Sequence, residues 1–176
     1  MINNKHFVMK QPVLYIFAGL PGTGKTTLAK KLSAEKGAIY LRIDLIEQAM
    51  RDWCSMDVEE AGYLMAYRLA ADNLAVGLSV VADSCNSVEI SRYQWLDVAQ
   101  RQRSSAVNIE IVCSNKAEHR QRVDARVSDI PGLEVPVWDN VVGRVYEPWT
   151  FPRTTLDTSG KSVDESFAEL LSLLSE

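Results

Sequence analysis

The chain has few of the residues from which disulfide-rich or zinc-centred proteins are built. Its three cysteines, Cys54, Cys85 and Cys113, lie far apart and form no Cys-x-x-Cys pair. Because the chain also has only two histidines, it offers none of the familiar zinc-ligand spacings. The sequence therefore predicts reduced thiols in a cytoplasmic protein, since disulfides are rare in that compartment.

Long apolar runs and an excess of positive charge are missing as well. No window of the sequence approaches the ~18 apolar residues that a membrane helix needs, so we expect no membrane span. The formal net charge of -4 gives no general attraction to nucleic-acid phosphates or to anionic lipid. We therefore expect neither nucleic acid nor membrane as a partner.

What is present is the composition of one globular domain. The chain has 176 residues, of which 47% are hydrophobic and 24% charged, a balance that suits a protein with one core of its own. It contains no internal repeat, linker or low-complexity tract. We predict a single domain over residues 1–176, with residues 1–12 as a flexible N-terminal extension, and no particular oligomeric state.

Short apolar runs alternate with helical patterns along the chain. Strands are predicted at residues 13–18, 38–44, 79–82, 108–114 and 154–159. Because parallel neighbours need crossover connections, this alternation predicts an α/β fold of three layers, with a five-stranded parallel sheet flanked by helices. In such sheets ligands bind at the carboxyl ends of the strands.

Two pairs of residues have the spacing of a helix-starting capping box. Ser162 precedes Glu165 by three residues, and Asn86 precedes Glu89 by three residues. In a capping box the first side chain and the acidic side chain satisfy each other's backbone N–H groups. Both pairs therefore predict helix starts.

The segment GLPGTGKT, residues 19–26, matches G-x-x-x-x-G-K-[ST] at every fixed position and is called the P-loop below. A predicted buried strand precedes it and a predicted helix follows it. Such a loop turns backbone N–H groups toward phosphate oxygens, while its lysine reaches the β- and γ-phosphates and its last hydroxyl binds Mg²⁺. We predict that ATP and Mg²⁺ bind here, with Thr26 on the metal. The predicted phosphate-binding residues are Gly19, Leu20, Pro21, Gly22, Thr23, Gly24, Lys25, Thr26 and Thr27.

Two aspartates close the second and third predicted strands. Asp83 follows the third apolar run, where its carboxylate would hold the water shell of Mg²⁺; a helix-capping role is the alternative. Asp44 ends the second predicted strand, where it would accept the proton of a hydroxyl that attacks the γ-phosphate. The alternative for Asp44 is an N-cap of the next helix, which is compatible with the first role.

A short charged helix is predicted at residues 116–127. Its spacing places His119, Arg122 and Arg126 on one face. Several cations on one helix near a phosphate site indicate a lid, at about residues 116–135, in which Arg122 and Arg126 neutralise charge in the transition state. A solvated charged face is the alternative, and Arg120 points elsewhere.

Other polar residues flank the predicted crevice and are candidates to hold an acceptor molecule. For each of them a surface or structural role is the alternative. These candidates are Arg42, Arg51, Arg68, Asn86 and Arg92.

The order of the motifs resembles a known group. GLPGTGKTTLAKKL, YLRID, VVADSCN, HRQRVDAR and LDTSG follow one another as in small bacterial P-loop kinases that carry an AAA-family ATPase label. That group is similar to polynucleotide kinases, zeta-type toxins and chloramphenicol phosphotransferases. The resemblance covers nearly the whole chain from residue 13 onward.

The resemblance implies roles for particular residues. It implies an aspartate base at Asp44, a second aspartate at Asp83 and a lid arginine pair at Arg122 and Arg126. It also implies that the loop after the last strand packs on adenine, with contacts from Thr158, Ser159 and Gly160.

One residue departs from the polynucleotide-kinase pattern. Those enzymes have an arginine three residues after the base to clamp the acceptor phosphate, whereas this chain has Glu47. A glutamate there would repel a phosphate, which argues against an end-phosphorylated nucleic acid as acceptor. The chain also lacks a second-region-of-homology arginine and a hexamer-forming lid domain, so a ring-shaped motor is not expected.

Together these features predict an ATP-dependent phosphotransferase with Lys25 and Asp44 among its catalytic residues. It would move the γ-phosphate of Mg-ATP to a hydroxyl of a small-molecule acceptor. The alternatives are a nucleoside, nucleotide or RNA-end kinase, and a slow ATPase that acts as a nucleotide-dependent switch.

Overall fold

The computed structural model describes residues 11–55, 57–58 and 60–175. The strands are β1 (Val13–Ala18), β2 (Ile39–Arg42), β3 (Val80–Asp83), β4 (Ser105–Val112) and β5 (Thr154–Asp157). The helices are α1 (Lys25–Lys36), α2 (Ile43–Cys54), α3 (Ala61–Ala75), α4 (Glu89–Arg101), α5 (Lys116–Asp124), α6 (Trp138–Val142) and α7 (Val163–Leu173).

Most of the predicted N-terminal extension, residues 1–10, lies outside the described residues. Its last two residues are described, and they form hydrogen bonds with residues 103 and 105, at and just before the start of β4. The Gln11 side chain donates to the carbonyl of Arg103 at 2.6 Å, and the amide of Ser105 donates to the carbonyl of Pro12 at 3.2 Å.

The five strands form one parallel sheet in the order β2-β3-β1-β4-β5. This confirms the predicted fold. The central strand β1 runs straight into the P-loop, and its Phe17 pairs in register with Asp83 on β3, which in turn pairs with Arg42 on β2. The register therefore brings the P-loop, Asp83 and Arg42 to one edge of the sheet.

Helices cover both faces of the sheet. Leu14 and Ile16 of β1 pack with α3 and α4 around the fully buried Trp95. Phe17 packs on the opposite face with α1 and α7. Strands that are buried on both faces carry apolar side chains at successive positions, which explains why the predicted strands show no polar alternation.

The boundary between β2 and α2 differs from the prediction. β2 ends at Arg42 and α2 begins at Ile43, so Asp44 lies in the first turn of the helix and not at the end of the strand. An acid in that turn is favoured because the helix N-terminus carries partial positive charge. Asp44 is not the N-cap either, since that position is Arg42 and no side chain caps the helix.

One predicted capping box is confirmed and the other is wrong. Ser162 Oγ accepts from the Glu165 amide, and Glu165 accepts from the Ser162 amide. Asn86, by contrast, lies two residues before Val88, the actual N-cap of α4. Its buried side chain donates to the Phe17 carbonyl at 2.7 Å and accepts from Trp95 Nε1 at 3.1 Å. Asn86 thus joins the end of β1 to α4.

Arg92 on α4 is fully buried and has a structural role. Its guanidinium donates to the carbonyls of Asn86 and Ser87 and to those of Glu147 and Pro148. It also lies 4.1 Å from the centroid of the Trp149 ring. The arginine therefore holds residues 147–149 against the start of α4, and the candidate role of Arg92 as an acceptor ligand is wrong.

We expect Arg92→Met to lower the free energy of unfolding by about 2–4 kcal/mol, because four backbone carbonyls lose their donors at a buried site. Urea denaturation measures this loss. Arg101→Met is the matched control on the same helix, since Arg101 pairs with Asp97 at an exposed position and its loss should cost under about 0.5 kcal/mol. Equal effects of the two substitutions would contradict the structural role.

Candidate active site

The P-loop connects β1 to α1 and contacts α5 closely. Gly24 is the N-cap of α1 with φ 94°, a conformation that favours glycine. Gly22 has φ 85°, and a Cβ built on it would lie 2.5 Å from Val123 Cγ2 of α5. The glycines are therefore required both for the turn and for the approach of the neighbouring helix.

Hydrogen bonds fix the P-loop in one conformation. Thr23 Oγ1 donates to the carbonyl of Leu20 at 2.9 Å. Thr158 Oγ1, after β5, donates to the carbonyl of Thr23 at 2.9 Å. Because these bonds hold the loop before any ligand arrives, phosphate binding would cost little further ordering.

His119 contacts the P-loop. The residue is buried, its Nε2 lies 2.8 Å from the carbonyl oxygen of Pro21, and its ring packs edge-on against Trp138. His119 and Arg122 lie three positions apart within α5, as predicted, but His119 supports the P-loop through the Pro21 carbonyl.

A cavity of about 530 Å³ opens beside the P-loop and is called the cation cavity below. Lys25 lines it although its residue is only 5% exposed. The positively charged residues on its wall are Lys25, Lys30, Lys31, Arg42, Arg122 and Arg126. The N-terminus of α1, with Thr26 and Thr27, completes the wall. The electrostatics of this cavity suit a polyanion such as a triphosphate.

Both predicted lid arginines reach the cation cavity, although by different routes. Arg122, on α5, donates to Thr158 Oγ1 at 2.8 Å and to Glu118 at 2.6 Å. Arg126 lies beyond the C-cap of α5, Ala125, so the helical spacing that predicted the pair does not extend to it. Arg120, as predicted, points elsewhere and pairs with Asp124 at an exposed position.

Asp129 was not predicted from the sequence; among the described residues it is the one acid on the wall of the cation cavity. Its carboxylate accepts from Lys30 at 2.6 Å and from the buried Arg42 at 2.7 Å. These two hydrogen bonds hold the pKa of the Asp129 carboxyl well below its usual range. Because it lies in an irregular segment with two prolines and a glycine nearby, no periodic signal could have found it. A phosphate in the cavity would compete with Asp129 for the same two cations.

Asp129→Asn should lower the free energy of unfolding at pH 7 by about 1 kcal/mol, because the substitution removes the attraction between a partly exposed carboxylate and two cations. A depressed folded-state pKa contributes stability above the unfolded pKa of about 4, and that contribution is lost as the pH falls toward the folded value. The difference between wild type and variant should therefore narrow below about pH 4. Urea denaturation at pH 7 and pH 3 checks this. Asp124→Asn, in an exposed pair, serves as the control, and a gap that stays constant with pH would contradict the assignment.

Asp83 is only 2% exposed and lies on the α1 face of the sheet. Its Oδ2 accepts from the Tyr40 hydroxyl at 2.7 Å. Burial, together with the Asp83 charge, raises the pKa of Tyr40 above its usual range, so the hydroxyl keeps its proton and donates it. Asp83 Oδ1 is buried and has no hydrogen-bond partner among the described residues. A buried carboxylate oxygen without a partner fits the water shell of Mg²⁺. The helix-capping alternative is wrong, because Asp83 is the last residue of β3.

Asp44 lies in the first turn of α2, near the same edge of the sheet. It is half-buried, and it is not on the wall of the cation cavity. Burial and then the Asp44 charge raise the pKa of Glu47. The Glu47 side chain fills the space where Gly62 of α3 lacks a Cβ. Asp44 is therefore close enough to influence Glu47, which contacts α3, whereas Arg42 joins Lys30 of α1 through Asp129.

The loop after β5 forms one wall of a cavity of about 320 Å³ next to the P-loop. Thr158 lines this cavity together with Gly22, Leu28 and the start of α7. Ser159 and Gly160, the other two residues predicted to contact adenine, are not on its wall; their backbone amides donate to the carboxylates of Asp157 and Glu118 respectively. The position of this cavity, continuous with the P-loop, is where a base attached to the bound phosphates would reach.

The remaining acceptor candidates separate into two groups. Arg42 lines the cation cavity. Arg51 pairs with Glu47 at 3.5 Å, and Arg68 is exposed on α3. Neither lies on the wall of the cation cavity.

Residues 14–140 match the family model of the AAA domain AAA_33. The chain belongs to this family. The matched range contains the P-loop, Asp44, Asp83 and α5, and it ends before Thr158. No curated protein matches the chain.

Solved structures share the fold of this AAA_33 member at low identity. A gluconokinase from Sinorhizobium meliloti has a TM-score of 0.66 and 13% identity over 94% of this chain and 93% of that one. The APS kinase CysC of Mycobacterium tuberculosis in complex with AMPPNP and APS has a TM-score of 0.64 and 18% identity over 94% and 99%. Kti12 from Chaetomium thermophilum in complex with ADP-AlF3 has a TM-score of 0.65 and 22% identity over 91% and 98%.

The AAA_33 match and these structures confirm the predicted resemblance to small P-loop kinases. Within the described residues, no helix combines the length and the hydropathy that a membrane crossing requires.

Proposed function

We propose that the protein is an ATP-dependent phosphotransferase that moves the γ-phosphate of Mg-ATP to a hydroxyl of a small-molecule acceptor. The observation that carries the proposal is the cation cavity, in which six positively charged residues and the N-terminus of α1 surround the P-loop. Structures of the same fold support the use of ATP: the APS kinase contains AMPPNP and Kti12 contains ADP-AlF3.

Roles follow from where each group lies. Lys25, with Arg122 and Arg126, would stabilise the charge that develops on the transferring phosphoryl group. Thr26 and the partnerless oxygen of Asp83 would hold Mg²⁺, which supplies charge neutralisation of the phosphates when bound. The adenine would occupy the cavity beside Thr158, with Ser159 and Gly160 shaping the loop.

Asp44 is proposed as the base for the acceptor hydroxyl. It lies at the carboxyl edge of the sheet but off the wall of the cation cavity, as expected for a group that serves the acceptor and not the nucleotide. Glu47, one turn later on the same helix, places a second carboxyl group near Asp44, although it is itself paired with Arg51 at 3.5 Å. A carboxyl group at this position, where an arginine would clamp an acceptor phosphate, favours an acceptor without a phosphate over an RNA end or a nucleotide.

A slow ATPase switch is the second candidate, and Asp129 is the observation that favours it. Its carboxylate joins α1, the end of β2 and the segment after α5 through Lys30 and Arg42. A bound γ-phosphate would compete for both cations, which would couple nucleotide state to the position of that segment.

Incubation of the protein with γ-labelled ATP and a pool of cell metabolites separates the candidates. We expect the label to appear in an organic phosphoester only when acceptors are present. Release of inorganic phosphate at the same rate with and without acceptors would favour the switch, and label on nucleosides or oligonucleotides would favour the nucleic-acid alternative. Lys25→Met is the control for contaminating kinases.

A further inference from the structure

A cavity of about 300 Å³ lies between α3 and α4, and we call it the tyrosine cavity. Tyr63, Leu64 and Tyr67 of α3 form one wall, while Cys85 and Val88 of the preceding loop and Ile90 of α4 form the other. None of the roles proposed above uses it.

Two contacts link the surroundings of the tyrosine cavity to the proposed reaction site. The carbonyl of Cys85 accepts from the amide of Gly19, the first residue of the P-loop, at 3.1 Å. In addition, Glu47 lies against Gly62, the neighbour of Tyr63. The charge of Asp44 helps to raise the pKa of Glu47. The residues around the cavity therefore contact the P-loop through Cys85 and the helix of the proposed base through Gly62.

Its charge is unlike that of the cation cavity. Glu60 and Arg144 are the charged residues on the wall of the tyrosine cavity, one of each sign, whereas six cations line the cation cavity. A phosphate or sulfate group would find one exposed arginine here and would gain far more beside the P-loop. The body of a ligand in the tyrosine cavity should therefore carry no phosphate.

The tyrosines present ring surface and not ionisable groups. The Tyr67 hydroxyl donates to the carbonyl of Ser91 at 3.2 Å, and the Tyr63 hydroxyl accepts from the Asn86 amide at 3.4 Å. Burial raises the pKa of Tyr63 to about 12, so that hydroxyl is neutral at physiological pH. The Tyr67 proton is donated to the protein and the Tyr63 oxygen accepts from it, while the two rings offer apolar and aromatic contact to a ligand.

Two large aliphatic side chains stand at the cavity without cover from the described residues. Leu64 is 57% exposed and Ile90 is 61% exposed, one on each wall. A cavity of this volume is at the small end of ligand pockets, which run from about 300 to 1,000 Å³. One ring system with a short side chain fits, and a dinucleotide does not.

We propose that the tyrosine cavity binds the phosphoryl acceptor, and that this acceptor is an alcohol with a flat apolar body and no phosphate. Binding stands on the cavity alone, whereas the transfer rests on the proposed function. In that step the hydroxyl oxygen of the acceptor forms a bond to the γ-phosphorus, and the bond from that phosphorus to the β–γ bridging oxygen breaks. The bridging oxygen keeps the electron pair and leaves as part of ADP, and the hydroxyl proton passes to Asp44.

Binding is tested first, without ATP. Ligand-observed NMR with the full chain compares 2-phenylethanol and indole-3-ethanol with gluconate and AMP. We expect the two aromatic alcohols to bind and to be weakened about tenfold by Ile90→Glu, because the new carboxylate would be desolvated against an apolar ligand. Leu69→Glu is the matched control, since Leu69 is an exposed α3 residue off the cavity wall. Stronger binding of gluconate or AMP, no binding of either alcohol, or equal effects of the two variants would overturn the proposal.

Transfer is tested second, with γ-labelled ATP and the same alcohols. We expect Ile90→Glu to raise the KM for the alcohol about tenfold while the KM for ATP stays unchanged. If the alcohols bind in an Ile90-dependent manner but accept no phosphate, the cavity stands as a binding site and its role as acceptor site is overturned. If another metabolite is phosphorylated with a KM that Ile90→Glu leaves unchanged, the phosphotransferase stands and the tyrosine cavity is not its acceptor site.

Discussion

Lys25→Met should lower the turnover of phosphate transfer by about 10²–10³-fold, the effect of removing one preorganised charge from a transition state. Lys25 is almost fully buried on the wall of the cation cavity, and it forms no ion pair with any described residue. A buried ammonium without an anion is costly, so this site is built for a negative ligand to complete it. Steady-state kinetics with γ-labelled ATP measures the loss.

The stability of the same variant should move in the other direction. Because no acidic side chain of the described residues forms an ion pair with Lys25, removal of the charge should leave the free energy of unfolding unchanged or raise it. Lys36→Met, at the exposed C-terminal end of α1, is the control and should alter neither quantity. A Lys25 variant that loses activity only because it unfolds would refute the assignment.

The fold could be predicted from the sequence because its signals are local. Each buried strand is a short apolar run, and residues 19–26 match a motif whose geometry is set by its glycines and by the helix that follows. Strand order could not be read in the same way, since it depends on which apolar faces pack together. The sequence predicted that the sheet is parallel but not the order of its strands, which in the structure is β2-β3-β1-β4-β5.

The site was predictable where a motif carries it and not where contacts are long-range. Asp129 meets Arg42 across 87 positions of sequence, so no spacing rule connects them. Asn86 and Arg92 were candidate acceptor ligands because both follow β3, near the predicted crevice. Their burial depends on residues 147–149 and on Trp95, which pack against them only in the folded chain.

For His119 and Asp44, the structure adds local geometry that the sequence pattern does not contain. His119 shares a helix with Arg122, but the approach of Gly22 to Val123 places the imidazole on the Pro21 carbonyl. For Asp44, the start of α2 two residues earlier than expected moves the acid into a helical turn.

Asp44→Asn should lower turnover by about 10²-fold or more, because an amide cannot accept the hydroxyl proton. The affinity for ATP should stay the same, since Asp44 is not on the wall of the cation cavity. Steady-state kinetics and equilibrium nucleotide binding measure the two quantities. Asp52→Asn, an exposed acid near the end of the same helix, is the matched control. Full activity in Asp44→Asn would end the assignment of the base.

A readout that does not depend on turnover can locate the Asp44 charge. Its carboxylate helps to raise the pKa of Glu47, so Asp44→Asn should lower the pKa of Glu47, as observed by NMR titration of the Glu47 side chain. In the same variant the turnover should fall, because the amide cannot take the hydroxyl proton. If the Glu47 pKa falls while the turnover is unchanged, Asp44 is near Glu47 as described but another group takes the proton.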